Sequence, residues 1–504
     1  MPATNPLYAA FIGAHAENDS TFMRLTGGDV IRYQEAVARV HQIANALTAA
    51  GVNPGDRVAA QIEKSPEAIF LYLGCVAAGA VFLPLNTAYT ITELAYFFGD
   101  AEPAAIVCDP AKAAQLAPLA ARLSAQLLTL GTDGTGSLTD ASESQSATYA
   151  PVARSADDLA AILYTSGTTG RSKGAMLTHN NLLSNVQTLK DYWYFTKDDV
   201  LLHALPIFHT HGLFVACNVV LASGASMIFQ PRFSVDAAID ALPRATTMMG
   251  VPTFYTRLLD DSRLDKQLVA NMRLFVSGSA PLLAQTHIDF EARTSHRILE
   301  RYGMSETCMN TSNPYHGQRR AGTVGFALPG VAIRVVDAQS GAALPNGEIG
   351  MIEVKGPNVF KGYWRMPQRT TAEFRKDGFF ITGDLGRFDD EGYLVIVGRD
   401  KDLIISGGLN IYPKEVETAI DALAGVEESA VIGAPHPDFG EGAIAVVVAE
   451  PGAALDQDTV IAGVSEKLAK FKQPKRVYFV DALPRNAMGK VQKKALRDRY
   501  ADTF

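Results

Sequence analysis

The sequence is poor in cysteine. Its 504 residues contain four, Cys75, Cys108, Cys217 and Cys308, widely spaced and with no CxxC pair. This argues against a disulfide framework or a structural zinc site and for reduced, buried thiols among the small and apolar residues that flank them. Positive charge is not in excess either: 45 Lys and Arg against 53 Asp and Glu leave a net charge of −8, whereas a dedicated nucleic-acid binder would carry a strongly basic domain. No repeat with a period of about 20 to 50 residues is visible, so solenoids and propellers are not expected. Long apolar runs are almost absent. Residues 68–85, AIFLYLGCVAAGAVFLPL, are uncharged over 18 positions, barely enough to cross a bilayer. Gly74, Gly79 and Pro84 interrupt them, so a buried helix ending near Gly79 and then a short strand fit better. The opening residues MPATNPLYAAFIGAHAENDS show neither a basic-then-apolar leader nor an Arg-rich amphipathic stretch, and a cytoplasmic, non-membrane protein is expected.

What is present is core-forming material: 47% apolar and 19% charged residues, over a length that at roughly 150 residues per domain gives two to four domains. Strand-like and helix-like segments alternate, as in RVAAQIE, SPEAIFLYLGCVAAG, AVFLPL, TITELAYFFGDAE and AAIVCD, and this rhythm predicts α/β layering. Residues 131–149, GTDGTGSLTDASESQSATY, are polar and rich in Gly, Ser and Thr and read as a loop or flexible connector; GTDGTG is not read as a phosphate loop, because no helix-forming apolar pattern follows it. Near GRDKD (398–402) the pattern changes to a small α/β unit: strand DLIISGG, helix YPKEVETAIDAL, strands SAVIGAP and AIAVVVAE, a helix over 458–469, and strand RVYFVDALP. Between Lys467 and Arg499 eleven Lys and Arg face only Asp481 and Asp498. Such a run is either a solvated face or a surface for a polyanion such as a nucleotide triphosphate.

YTSGTTGRSKG (164–174) directly follows the apolar run DLAAIL. A strand that delivers a loop of Ser, Thr and Gly offers a polyphosphate free backbone N–H groups, hydroxyls and a flanking cation, Arg171 or Lys173. The spacing is not that of a Walker A loop. A generic flexible loop is the alternative on this motif alone.

The string YTSGTTGRSKGAMLTH resembles the phosphate-loop signature of the adenylate-forming superfamily, which includes acyl-CoA synthetases, firefly luciferase and nonribosomal peptide adenylation domains. The resemblance continues in order through ALPIFHTHG (204–212), MGVPT (249–253), VSGSAPL (276–282), ERYGMSET (300–307), YWRM (363–366), ITGDLG (381–386), GRDKDLIISGGLNIYPKEVE (398–417) and LPRNAMGKVQK (483–493), nine stretches covering essentially the whole chain. It implies a large N-terminal domain of layered α/β subdomains, residues 1–400, and a small mobile α+β C-terminal domain, residues 401–504, hinged at Lys401. It further implies that Thr165, Ser166, Gly167, Thr168, Thr169, Gly170 and Lys173 cradle ATP. On the same basis Ser279, Ala280 and Pro281 wall the adenine, Tyr302 stacks on it with Gly303 and Met304 following, and Ser305 faces the α-phosphate. Glu306 with Thr165 would hold Mg²⁺, a cation that takes oxygen ligands. Asp384, with Arg399 beside it, would receive the ribose hydroxyls. Lys490 is similar to the single catalytic lysine of these enzymes, which stabilises charge on the phosphoryl oxygens and on leaving pyrophosphate and whose acetylation would silence that step. After the domain turns, Gly407 and Gly408 would line the channel for CoA.

The acid pocket implied by the resemblance draws on His209, His211, Thr253, Ser277, Arg301 and Met309. His209 and His211 have no third ligand nearby in sequence, so a lined acyl pocket is expected rather than a metal pair. Arg301 stands where relatives that take fatty or aromatic acids carry a small or neutral residue. A buried guanidinium needs an anion, either a protein carboxylate such as Glu300 or a second carboxylate on the substrate. ERYGMSETCMNTSNPYHG, MIEVKGPNVFKGYWRMP, ITGDLG and LPRNAMGKVQK closely resemble the malonyl-CoA synthetases, which favours the second choice and implies malonate, ATP and CoA as substrates. Methylmalonate, a short fatty acid and an aryl acid are the nearest alternatives. An ADP-forming kinase or ATPase is the alternative from another class.

Overall fold

In the computed structural model, residues 5–165, 172–407, 409–465, 467–486 and 489–504 are described. The chain forms two compact units. The first comprises residues up to Gly322 together with Phe326–Ala332 and Lys355–Phe380, and the second comprises Thr323–Gly325, Ile333–Val354 and Ile381–Phe504.

Among the described residues the first unit holds two large sheets. A six-stranded sheet runs in the order Gln126–Thr129, Ala105–Cys108, Arg57–Gln61, Val81–Pro84, Leu159–Thr165, Lys173–Thr178. A nine-stranded sheet has six consecutive parallel strands at its centre: Thr21–Leu25, Ser226–Phe229, Val200–His203, Thr247–Gly250, Leu274–Ser277 and Leu299–Met304. Thr247–Gly250 and Leu274–Ser277 are buried at every position, as expected of parallel strands covered on both faces. The chain then reverses, and Cys308–Ser312 pairs antiparallel with Leu299–Met304. Ligands of open parallel sheets collect beyond the carboxyl ends of the strands. ALPIFHTHG, VPT and SGSAP all lie there.

The suspect apolar run is a helix and a strand. Ser65 caps the helix Pro66–Ala78 through the Ala68 N–H, and Gly79 ends it at φ 70°. Strand Val81–Pro84 follows, buried throughout. No helix among the described residues is long and apolar enough to cross a membrane. All four cysteines are free and buried.

Residues 131–149 correct the expectation of a flexible connector. Helix Ser137–Glu143 forms there, anchored by buried Leu138. The stretch after it is tied down by Asn45 Nδ2, which donates to the carbonyls of Ser146 and Thr148 at 2.9 and 3.0 Å, and by His41 Nδ1 at 3.0 Å from the Ala147 carbonyl. The order comes from side chains about a hundred residues away, which local composition does not report.

The second unit carries a four-stranded sheet, Ala332–Val336, Gly350–Lys355, Phe380–Phe388 and Leu394–Arg399. It also carries a five-stranded sheet built on the long hairpin Val426–His436 and Gly440–Ala449, with Ile404–Ser406, Leu409–Ile411 and Arg476–Phe479. Helix Pro413–Asp421 packs on that hairpin through Val416 and Ile420, which share a core with Val431 and Val447 of the hairpin and with Val460 of helix Gln457–Ser465. The helix expected over 458–469 is Gln457–Ser465, and the Lys467 and Leu468 N–H groups beyond it both reach the Val464 carbonyl.

Candidate active site

In the first unit, Leu159–Thr165 and Lys173–Thr178 form an antiparallel hairpin whose register brings Thr165 opposite Lys173. The loop between them, with Ser166, Gly167, Thr168, Thr169, Gly170 and Arg171, lies outside the described residues. Its two ends are placed. Thr165 Oγ1 donates to Glu306 Oε1 at 3.3 Å. Lys173 Nζ pairs with Glu373 Oε1 at 3.0 Å and lies 4.1 Å from the centre of the Tyr363 ring. Tyr363 Oη joins the two ends, 2.6 Å from Glu373 Oε2 and 3.2 Å from Glu306 Oε1. Burial, then the two carboxylates, push the Tyr363 phenol far up, so it keeps its proton. Glu306 and Thr165 supply the hard oxygen donors that Mg²⁺ takes. Among the described residues no cluster of three or more His, Cys, Asp or Glu suits a resident metal.

The acid side is built at the ends of the parallel strands. Arg301 is 4% exposed, and its Nε and Nη2 have no hydrogen-bond partner. Burial without an acceptor pushes its pKa down to about 9, which leaves the guanidinium charged at neutral pH. Gly278 makes room for it: a Cβ there would stand 2.3 Å from the guanidinium carbon. The Glu300 alternative is excluded, since neighbours along a strand face opposite ways. Glu300 instead accepts the Gly322 N–H at 3.3 Å and lies 3.9 Å from His287 Nδ1. Ser279, held at φ 73°, shares a hydrogen bond of 3.2 Å with His211 Nδ1. Burial, then Arg301 and His203, keep His211 neutral, and its Nε2 is buried without a partner. The Ser277 and Thr210 hydroxyls are buried and unpartnered as well. Arg301 thus presents buried N–H donors with no acceptor, with the unpartnered His211 Nε2 close by, and such groups are costly unless a ligand satisfies them.

His209 takes no side-chain hydrogen bond; its ring rests on Phe208 at 4.7 Å, and burial lowers its pKa to about 4. Met309 is buried and held by its backbone, which Asn185 contacts at 2.9 and 3.3 Å and Asn358 at 3.1 Å. Ser277 ends its strand and Ser279, Ala280 and Pro281 follow, with Thr253 at the start of helix Pro252–Leu259. Tyr302, Gly303 and Met304 complete strand Leu299–Met304, and Ser305 opens the turn to Cys308–Ser312.

In the second unit, Asp384 and Arg399 sit opposite each other on paired strands, Arg399 Nε 2.8 Å from Asp384 Oδ1. Lys490 and Lys401 belong to the same cluster. Lys490 keeps solvent access, yet protein atoms crowd its ammonium. With the cations of Arg399 and Lys401 alongside, its pKa falls to about 8 against the pull of Asp384 and Asp402. The loop carrying it is pinned at both ends. Arg485 pairs with Glu428 and donates to the Gly489 carbonyl, the Lys490 N–H donates to Asn486 Oδ1 at 3.0 Å, and Lys493 Nζ is 2.5 Å from Glu417. Gly407 follows strand Ile404–Ser406, and Gly408 lies outside the described residues.

Tyr363, Glu373, Asn185 and Asn358 went unassigned in the sequence. YWRM marked Tyr363 as a motif residue, but nothing local signals that it bridges two carboxylates.

The parallel sheet with loops at its carboxyl ends, the paired strands Leu159–Thr165 and Lys173–Thr178 and a unit that carries Lys490 are the features of an adenylate-forming enzyme. The chain belongs to the AMP-binding enzyme family, which matches residues 12–364, and the AMP-binding enzyme C-terminal domain matches residues 415–490. Among solved structures it is similar to ATP-bound MatB from Rhodopseudomonas palustris, at 61% identity over 99% of each chain and a TM-score of 0.97. Among curated proteins it is 38% identical to a feruloyl-CoA synthase from an Amycolatopsis species over 481 residues, 94% of this chain and 95% of the other. It is 35% identical to a malonate–CoA ligase of Arabidopsis thaliana over 476 residues, 88% of this chain and 78% of the other.

Proposed function

We propose that this protein is an ATP-dependent malonate–CoA ligase. One malonate carboxylate attacks the α-phosphorus of ATP, a P–O bond forms and pyrophosphate leaves. The thiolate of CoA, its proton released to solvent, then attacks the acyl carbon of malonyl-AMP, and AMP departs. The observation that carries the reading is Arg301, a buried guanidinium with two unpartnered nitrogens beside the neutral His211 ring. The second carboxylate of malonate satisfies it, and a monocarboxylate of similar size leaves it unpaired. Likeness to the malonate–CoA ligase of Arabidopsis thaliana and to that of Mus musculus supports the substrate. The likeness to a feruloyl-CoA synthase does not carry over, because the neutral hydroxyl and methoxy oxygens of a feruloyl tail offer Arg301 no negative charge.

Each set of residues has a task. The hairpin ending in Thr165 and Lys173 binds the triphosphate, and Lys173 exchanges Glu373 for phosphate oxygens. Glu306 and Thr165 would hold Mg²⁺, which when bound neutralises phosphate charge. Ser279, Ala280, Pro281, Tyr302, Gly303, Met304 and Ser305 receive the adenine and α-phosphate, and Asp384 with Arg399 takes the ribose. Lys490 supplies charge to the first half-reaction, and its acetylation stops that step. Rotation about Lys401 then presents Gly407 and Gly408 to CoA. The free buried thiols suit the reducing cytoplasm, where we place the enzyme.

An AMP-release assay across malonate, methylmalonate, succinate, acetate, butyrate and coumarate tests the substrate. Malonate gives the highest kcat/KM, with AMP and pyrophosphate as products, and acetate falls below it by about 10⁴-fold, the selectivity of a site built on a polar contact. Preference for butyrate or coumarate, or formation of ADP, defeats the proposal. Tyr363→Phe removes the hydroxyl shared by Glu306 and Glu373. One such hydrogen bond contributes about 1 kcal/mol, so the KM for ATP rises about 5- to 10-fold in steady-state assays while the KM for malonate holds.

A further inference from the structure

Lys64 is a buried amine that the reaction above does not use. It lies between strand Arg57–Gln61 and the cap of helix Pro66–Ala78, it is 7% exposed, and no carboxylate among the described residues pairs with it. Nζ instead donates to His203 Nδ1 at 2.8 Å and to the His203 carbonyl at 2.9 Å, with the Phe229 ring 4.5 Å beneath it. With Nδ1 accepting, the His203 proton is on Nε2, which donates to the Gly212 carbonyl at 2.8 Å and lies 3.2 Å from Cys217 Sγ.

Gly212 and Cys217 are the second and last residues of the π-helix His211–Cys217. A π-helix is a weak element that other contacts must sustain, and it recurs at functional sites. Here its widened turn is visible in the Val215 N–H reaching the Thr210 carbonyl at 2.9 Å. Gly212 is pressed so closely on Pro206 that a Cβ would stand 2.0 Å from the Pro206 carbonyl oxygen. The His203 ring therefore touches both ends of the segment whose first residues are Thr210 and His211. A methionine would fill the Lys64 site without a buried amine to desolvate, so the cost of the lysine points to a task.

We propose that Lys64 is a positioning residue for the acid pocket: by fixing the His203 ring it fixes the pitch of the π-helix and hence where Thr210 and His211 meet the substrate. This rests on the reading of Arg301 and His211 as the malonate site. The titratable groups facing Nζ are His203 and Cys217. Burial lowers the Lys64 pKa from 10.5 to about 7, while the unfolded chain keeps the proton up to about 10.5. The burial penalty is thus full below pH 7 and fades toward pH 10.5.

The test is Lys64→Met in the full chain. Its Tm equals or exceeds that of the wild type at pH 7, with a gain that shrinks toward pH 10, while the KM for malonate rises about 10-fold and the KM for ATP stays within about 2-fold. In spectra of protein labelled with ¹⁵N in histidine, one Nδ1 resonance loses its hydrogen-bonded shift. An unchanged malonate KM overturns the proposal, as does a parallel rise of both KM values or an unperturbed histidine spectrum. Wild-type enzyme is assayed first with the acid that the AMP-release screen selects, so failure of the malonate reading appears in the wild type and failure of the Lys64 role only in the variant.

Discussion

Arg301→Ala lowers kcat/KM for malonate by about 10³-fold, because truncating one partner of a buried charge pair costs on the order of 4 kcal/mol. The loss has two sources. The second carboxylate of malonate keeps its charge in the pocket, where His211 is held neutral chiefly by burial. The neighbouring His211 ring and the Ser277 and Thr210 hydroxyls lend hydrogen bonds but no charge. Stability moves the other way. A guanidinium with two unpartnered nitrogens at 4% exposure is a burden on the ligand-free fold, so the Ala variant melts no lower than the wild type. Acetate and propionate lose nothing, and their turnover relative to malonate rises by a similar factor. Added guanidinium ion, entering the space beside Gly278, restores part of the malonate activity. If malonate turnover survives the substitution unchanged, the carboxylate clamp is wrong.

The strand carrying Arg301 shows what was legible in the sequence. ERYGMSET placed the residue at a pocket and posed the choice between Glu300 and a ligand. Had LERYGM been taken as a strand, alternation would have removed Glu300 at once, since adjacent side chains point to opposite faces. The signals that did read true are short-ranged: Gly79 closing a buried helix, and the short apolar strand that follows it. The pairings that were missed span long stretches of chain. Lys173 meets Glu373 across 200 residues, Tyr363 meets Glu306 across 57, and Lys64 meets His203 across 139. Nothing local marks such partners, because each side chain alone is an ordinary polar residue and only the stacking of strands brings the two together. Residues 131–149 failed for the same reason, with their order lent by Asn45 and His41 from a distant helix.

Lys490→Ala separates the two half-reactions. Formation of malonyl-AMP, followed as malonate-dependent exchange of pyrophosphate into ATP, falls by about 10³-fold, the scale set by removing one preorganised group that stabilises developing negative charge. Thioester formation from synthetic malonyl-AMP and CoA stays within about 3-fold, since no phosphoryl charge develops there. Equal loss of both would sink the assignment of Lys490 to adenylation alone. The pH dependence gives a second handle. Crowding by protein atoms, with Arg399 and Lys401 alongside, brings the Lys490 amine down to about 8, and only the ammonium form can serve a phosphoryl transition state. The kcat/KM for adenylation therefore declines as pH rises through about 8 in the free enzyme, a limb that the Ala variant lacks. Electrostatics in this cluster is balanced, because Asp384 and Asp402 pull the amine up while Arg399 and Lys401 push it down. The negative charge that ATP adds favours the ammonium, so the limb is expected at higher pH in kcat than in kcat/KM.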